Sequence, residues 1–215
     1  MRHVIQPAIA GYLGPLHRPV DPLLETIREE GLQAGLPLVE PDTARLLRSL
    51  VLAMHATKVL EIGTAIGYSA LWMAQALAPG GQLITMELDP DRAATARANI
   101  ERAGLGRTVS VMVGDASRFL HKVAGPFDLI FQDGDKQLYE PLLDRLVGHL
   151  RPGGVLVTDN VLWDGEVVDG FVKSPRHDEA STRAIRAYNE RLSRDTRLLT
   201  TIVPMGDGVA VSVKL

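Results

Sequence analysis

The sequence contains no cysteine. That excludes a disulfide framework, a thiolate zinc site and a cysteine nucleophile, and it fits a reducing cytoplasm. Aromatic residues make up only 5% of the 215 positions, against 46% hydrophobic residues, so the core must be mainly aliphatic. No apolar run approaches the roughly 18–20 residues of a membrane span, and no membrane association is expected. Net charge is only −3. This argues against the basic footprint of a nucleic-acid binder and against disorder. Met1 to Gly14 lacks the basic-then-apolar order of a signal peptide, so none is expected. Repeats and low-complexity tracts are absent too.

What is present is a series of short apolar runs punctuated by glycine and proline. Pro22 to Gly31 reads as a short helix, and Pro41-Asp42-Thr43 opens a second. Strands are predicted at Lys58 to Gly63, Gln82 to Glu87, Thr108 to Val113, Phe127 to Gln132 and Gly154 to Thr158. Helices are predicted at Tyr68 to Leu77, Pro90 to Ala103, Ala116 to Val123, Leu138 to Leu150 and His177 to Arg194. Two last strands, Arg197 to Val203 and Val209 to Lys214, flank the turn-forming Pro204-Met205-Gly206-Asp207-Gly208. Such alternation implies βαβ units. The expected fold is α/β: a Rossmann-like, mostly parallel, seven-stranded sheet with helices on both faces and an antiparallel C-terminal strand. One domain is read over residues 1–215, with residues 1–40 as a helical appendage near the active site.

Ligands of open α/β sheets sit at the carboxyl ends of the strands. After the first strand comes Glu61-Ile62-Gly63-Thr64-Ala65-Ile66-Gly67-Tyr68-Ser69. Its glycines permit a sharp turn and close backbone approach to a ligand. The full G-x-G-x-x-G of a dinucleotide cradle is missing, which counts against a nicotinamide enzyme, and no phosphate-binding P-loop occurs. Glu87 ends the second strand, where a carboxylate can accept from both ribose hydroxyls. Gly114-Asp115-Ala116 follows the third strand, where an adenine would lie. Ribose and adenine without a diphosphate point to S-adenosylmethionine (SAM).

A second cluster lies at the ends of the fourth and fifth strands: Asp133-Gly134-Asp135-Lys136 and Asp159-Asn160. Neighbouring parallel strands are about 4.8 Å apart, so Asp133, Asp159 and Asn160 should converge. Two carboxylates and an amide oxygen suit Mg²⁺, Mn²⁺ or Ca²⁺. The bland alternative is that each aspartate caps a helix. Lys136 would stand in the first turn of a helix, where a cation is unfavourable. An ammonium beside a divalent cation gives up its proton more readily, so Lys136 is a candidate base. The six histidines show no metal-ligand spacing.

These motifs together resemble the cation-dependent class I O-methyltransferases, the group containing catechol and caffeoyl-CoA O-methyltransferases. The resemblance runs from about residue 36 to the end. It is carried by Val59 to Thr64 with Gly67-Tyr68-Ser69, by Glu87-Leu88-Asp89, by Asp133 to Lys136, and by Asp159-Asn160-Val161-Leu162-Trp163-Asp164-Gly165. Gly134 departs from the alanine usual in the plant enzymes. The resemblance implies that Glu61, Gly63, Thr64 and Ser69 hold the methionine part of SAM, and that Glu87 binds its ribose. It implies that Ala116 contacts the adenine and that Val39 and Asp135 complete the pocket. It further implies a cation, most simply Mg²⁺, on Asp133, Asp159 and Asn160, with Asp133 and Lys136 in the catalytic centre, a catechol-like phenolic acceptor walled in part by Trp163, and a homodimer. A methyltransferase acting on nucleic acid would carry an Asn-Pro-Pro-Tyr tetrad after the fourth strand, and Asp133 to Lys136 stands there instead. The remaining alternatives are methylation of a non-phenolic substrate and SAM binding without turnover.

Overall fold

A computed structural model describes residues 7–17, 21–168, 170 and 178–215. Its helices are α1 (Pro7–Leu13), α2 (Pro22–Gln33), α3 (Pro41–Ala53), α4 (Tyr68–Ala74), α5 (Pro90–Arg102), α6 (Ala116–Phe119), α7 (Tyr139–His149) and α8 (Glu179–Arg194). Its strands are β1 (Lys58–Ile62), β2 (Gln82–Glu87), β3 (Val109–Val113), β4 (Phe127–Gln132), β5 (Leu150–Thr158), β6 (Leu198–Val203) and β7 (Val209–Lys214). They form one seven-stranded sheet in the order β3-β2-β1-β4-β5-β7-β6. The first five pair in parallel, and β7 runs antiparallel between β5 and β6.

Both faces of the sheet are buried at its centre, and successive residues of the central strands alternate between two cores. Val59, Leu129, Phe131, Val155 and Val157 pack on one face with Leu47 of α3 and Leu71 of α4. Leu60, Ile130 and Leu156 pack on the other with Leu143 of α7 and Ile185 of α8. This accounts for the continuous apolar runs, since a parallel strand covered on both sides has no wet face. Asp128 pins the far end of the sheet. It accepts from the backbone N–H of Thr57 and of Lys58 at 2.8 and 2.9 Å, and from Arg151 Nε at 2.6 Å. The N-terminal ends of β1, β4 and β5 are thereby held level, which aligns their carboxyl ends.

The structure departs from the sequence reading in detail. The helix after the glycine loop ends at Ala74 rather than Leu77. The predicted helix from Ala116 is one α turn followed by a 3₁₀ turn, Leu120–Lys122. Lys136 belongs to a 3₁₀ turn, Lys136–Leu138, ahead of α7. Strand β5 starts at Leu150, because Phe127 pairs with Leu150 across a register shift that absorbs Pro152-Gly153-Gly154. Helix α1 was not expected, and the predicted start of α8 at His177 lies outside the described residues. On α8, Arg183 pairs with Glu179 and Arg194 with Glu190 as expected of a solvated face. Arg191 instead reaches Glu140 and Asp144 of α7, and Arg186 donates to the Glu166 carbonyl.

Candidate active site

The glycine loop needs its glycines. Gly63 has φ of +96° and Gly67 of +86°, backbone that glycine enters at no steric cost. A Cβ at Gly63 would also collide with the Asp133 carbonyl. The first strand thus turns directly against the end of β4. Beneath the loop lies Glu61, fully buried. Ser69 Oγ donates to its Oε1 at 2.6 Å and Thr85 Oγ1 to its Oε2 at 2.5 Å. Thr64 Oγ1 is 2.5 Å from Thr85 Oγ1, completing a chain of hydroxyls. Burial, with a smaller push from Asp133 and Glu87, raises Glu61 to about 8 despite its two hydroxyl donors.

Glu87 is also buried. Its Oε2 accepts from the Ala65 N–H at 2.8 Å and its Oε1 from the Asp89 N–H at 3.0 Å. A carboxylate offers about four lone-pair sites, so each oxygen can take a further donor, as a ribose diol requires. Ala116 is buried at the first position of α6, which Asp115 caps. Val39 is buried in the core beside α3 and α4. Asp135 is exposed and caps its own turn, accepting from the Gln137 N–H at 3.0 Å. The capping alternative therefore holds for Asp135, as it does for Asp89, Asp115 and Asp178.

Asp133 makes no such cap. Lys136 Nζ donates to Asp133 Oδ1 at 2.8 Å, to Asn160 Oδ1 at 2.6 Å and to Tyr139 Oη at 2.8 Å. All three ammonium protons are used, and the ends of β4 and β5 are joined through one positive charge. Asp159 is buried next to them, and its Oδ1 accepts from the Asn160 N–H at 2.8 Å. Burial and the neighbouring Asp133 push the Asp159 carboxyl far above the usual carboxylate range, against the pull of Lys136. Two acids and an amide oxygen around an ammonium form a hard donor set that fits a cation. Among the described residues no group of three or more His, Asp or Glu side chains is placed to hold a metal ion, and this set has an amide oxygen in place of a third acid.

The backbone at this end of β5 is unusual. Asn160, Trp163 and Asp164 all have φ between +49° and +60°, conformations that cost non-glycine residues free energy unless the surroundings impose them. Three contacts do so: Asn189 Nδ2 of α8 donates to the Val161 carbonyl at 2.7 Å, the Asp164 N–H donates to Asp207 Oδ1, and the Val161 N–H donates to the Gly208 carbonyl at 3.0 Å. The β6–β7 hairpin and α8 thus shape the segment carrying Trp163, whose ring lies 6.0 Å from Lys136 Nζ.

Sequence reasoning missed Thr85, Tyr139 and Asp207. Thr85 is visible afterwards as the lone hydroxyl within the apolar run of β2. Tyr139 stands three residues beyond Lys136, within one helical turn. Its hydroxyl donates to the Asp159 carbonyl at 3.1 Å.

With this geometry, the sequence matches the O-methyltransferase family over residues 19–215. The chain belongs to the O-methyltransferase family. It is a SAM-dependent O-methyltransferase, and it aligns along nearly its whole length with curated relatives of that kind. It is 35% identical to the catechol O-methyltransferase of Niastella koreensis, over 99% of each chain. It is 34% identical to that of Mycobacterium tuberculosis, over 90% of this chain and 89% of the relative. Among solved structures, the Bacillus cereus O-methyltransferase in complex with S-adenosylhomocysteine (SAH) superposes with a TM-score of 0.86 at 33% identity, covering 97% of both chains. TomG of Streptomyces achromogenes, in complex with SAM, gives 0.85 at 29% identity over 96% of each.

Proposed function

We propose that this O-methyltransferase is cation-dependent and methylates one hydroxyl of a catechol-like or other vicinal-diol phenol. The observation that supports it best is the Lys136 ammonium held between Asp133 and Asn160 beside buried Asp159. Asp133, Asp159 and Asn160 would hold the divalent ion, Mg²⁺ before Mn²⁺ or Ca²⁺. Glu61, Gly63, Thr64, Ser69, Glu87, Ala116, Asp135 and Val39 would hold SAM. SAM supplies an electrophilic methyl group, and a bound divalent cation supplies a Lewis acid for two adjacent acceptor oxygens. Lys136, once it has given up one ammonium proton and stands as the neutral amine, would take the proton of the reacting hydroxyl, and its tether to Tyr139 would fix where that proton is received. Trp163, set by its imposed backbone, would present a flat wall to an aromatic ring. The clamped β4 and β5 ends would keep the acceptor oriented.

The reading includes one domain over residues 1–215, with residues 1–40 as an appendage beside the site. The segment does pack on the body of the molecule: Leu13, Leu16 and His17 line a groove of about 980 Å³ together with α3, Trp72 and Met205 of the final hairpin, although none of the residues assigned to SAM or the cation lines it. It includes a homodimer, since Ile9, Tyr12, Leu16 and Leu52 leave apolar surface exposed near α1. It includes a cytoplasmic location, in keeping with the absence of cysteine. Among the described residues no helix is long and apolar enough to cross a membrane. The test is a screen of diphenols and monophenols with SAM, with and without Mg²⁺ after metal stripping. Metal-dependent turnover of diphenols alone is expected, and full turnover in excess chelator overturns the cation role.

A further inference from the structure

Glu61 stands among the residues assigned to SAM, but that assignment gives its buried charge no role. Among the described residues its carboxyl bonds only to hydroxyls, those of Ser69 on α4 and Thr85 on β2. The charges that act on it most are those of two further acids, Asp133 beyond β4 and Glu87 at the end of β2. An uncompensated carboxylate in such a place is costly, so the group keeps its proton or acquires a cation. The loop above it belongs to the site assigned to SAM, and the inference rests on that assignment.

We propose that Glu61 is the counter-charge for the sulfonium of SAM: it ionises when the cationic donor binds and takes a proton back from solvent when neutral SAH remains, so that it sets the preference for donor over product. The amino-acid end of either ligand is a zwitterion with no net charge. The sulfonium is the one positive charge that distinguishes them. In a site sheltered from water, one additional positive charge is enough to change the protonation of a carboxyl.

The hydroxyl chain accommodates both states without moving a heavy atom. With Glu61 ionised, Thr85 donates to it and accepts from Thr64. With Glu61 protonated at Oε2, Glu61 donates to Thr85, which donates to Thr64. The 2.5 Å separations on both sides of Thr85 Oγ1 permit either direction. Its raised ionisation range, to about 8, leaves the group largely protonated at neutral pH before a ligand arrives.

Isothermal titration calorimetry of the whole protein tests this. SAM, SAH and the cationic analogue sinefungin are titrated at pH 7 in EDTA, in two buffers of different ionisation enthalpy. The wild type should release up to one proton per SAM or sinefungin and almost none per SAH. Glu61→Gln should release none with any ligand and should lose about tenfold or more of its preference for SAM over SAH. Equal proton release with SAM and SAH, or none with SAM, overturns the proposal, and the wild-type measurement alone decides this if the variant does not fold. Glu87→Ala separates the two readings: unchanged affinity for both ligands would defeat the assigned SAM site itself, whereas its loss with equal proton counts would defeat only the role of Glu61.

Discussion

The ammonium of Lys136 lies 2.6 Å from the amide oxygen of Asn160 and joins it to Asp133 Oδ1, 2.8 Å away on the other side. The protein's own cation thus occupies the donor set assigned to a metal. A divalent ion bound there would compete with the lysine for the same oxygens and would have to displace the ammonium from at least one of them.

Replacing the lysine separates binding from chemistry. Lys136→Met is expected to lower kcat by about 10²–10⁴-fold, the usual worth of a positioned acid–base group. The same variant should bind Mn²⁺ at least as tightly as the wild type, because a competing positive charge is gone. Titration of Mn²⁺ followed by electron paramagnetic resonance checks this, and clearly weaker binding would contradict the competition.

Asp159 carries the opposite expectation. Asp159→Ala removes a buried carboxylate from the donor set, so divalent binding and methyl transfer should both collapse. SAM affinity, measured by calorimetry in EDTA, should stay within a few-fold of wild type. Loss of SAM binding together with metal binding would place Asp159 in the wrong role.

Gly63 should tolerate no side chain. Gly63→Ala combines a positive φ with a collision against the Asp133 carbonyl. A loss of about 1–3 kcal/mol in urea unfolding is expected, together with weaker SAM binding. Gly148→Ala, in α7 with open space around its Cα, should instead be neutral or slightly stabilising.

The buried acid also imposes a pH dependence on stability. Glu61 is raised from 4.5 to about 8 in the folded chain. The unfolded chain releases that proton near pH 4.5 and the native chain only near pH 8, so the unfolded state binds fewer protons between them. Stability contributed by this group is therefore complete below about pH 4.5 and falls as pH rises toward 8. Urea denaturation of ligand-free protein at pH 5, 6, 7 and 8 should show the decline, and Glu61→Gln should flatten it. Parallel profiles for the two proteins would contradict the assignment.

The exposed surface of α1 can be tested by assembly. Tyr12→Asp with Ile9→Asp places two charges on a face where Tyr12 is 69% and Ile9 49% exposed. If that face joins two copies, sedimentation should show a dimer for the wild type and a monomer for the variant. A wild-type monomer at micromolar concentration would defeat the homodimer.

Much of this arrangement was legible in the sequence, for a topological reason. In a parallel sheet the carboxyl ends of all strands face one side, so Glu61, Glu87, Asp133 and Asp159 could be placed together once four strands were recognised. What stayed hidden depends on distances between side chains. Nothing in the local pattern shows that Thr85 reaches back to Glu61, or that the Tyr139 hydroxyl stands between Lys136 and the Asp159 carbonyl. The early start of β5 was hidden too, because Pro152-Gly153-Gly154 resembles a loop until β4 supplies the partner that holds it in register. Helix α1, seven residues long, has no periodic signal long enough to read.

The position of β7 has a consequence for biogenesis. Strand β5, which ends in Asp159 and Asn160, is flanked on one side by β4 and on the other by residues 210–213 of β7. Until that last stretch has emerged from the ribosome, β5 is an unpaired edge and the segment shaped by Asp207 and Gly208 has nothing to shape it. A nascent chain not yet extended through residues 204–214, or one cut before them, should therefore hold the donor side of the molecule without a competent catalytic centre, inert rather than partially active.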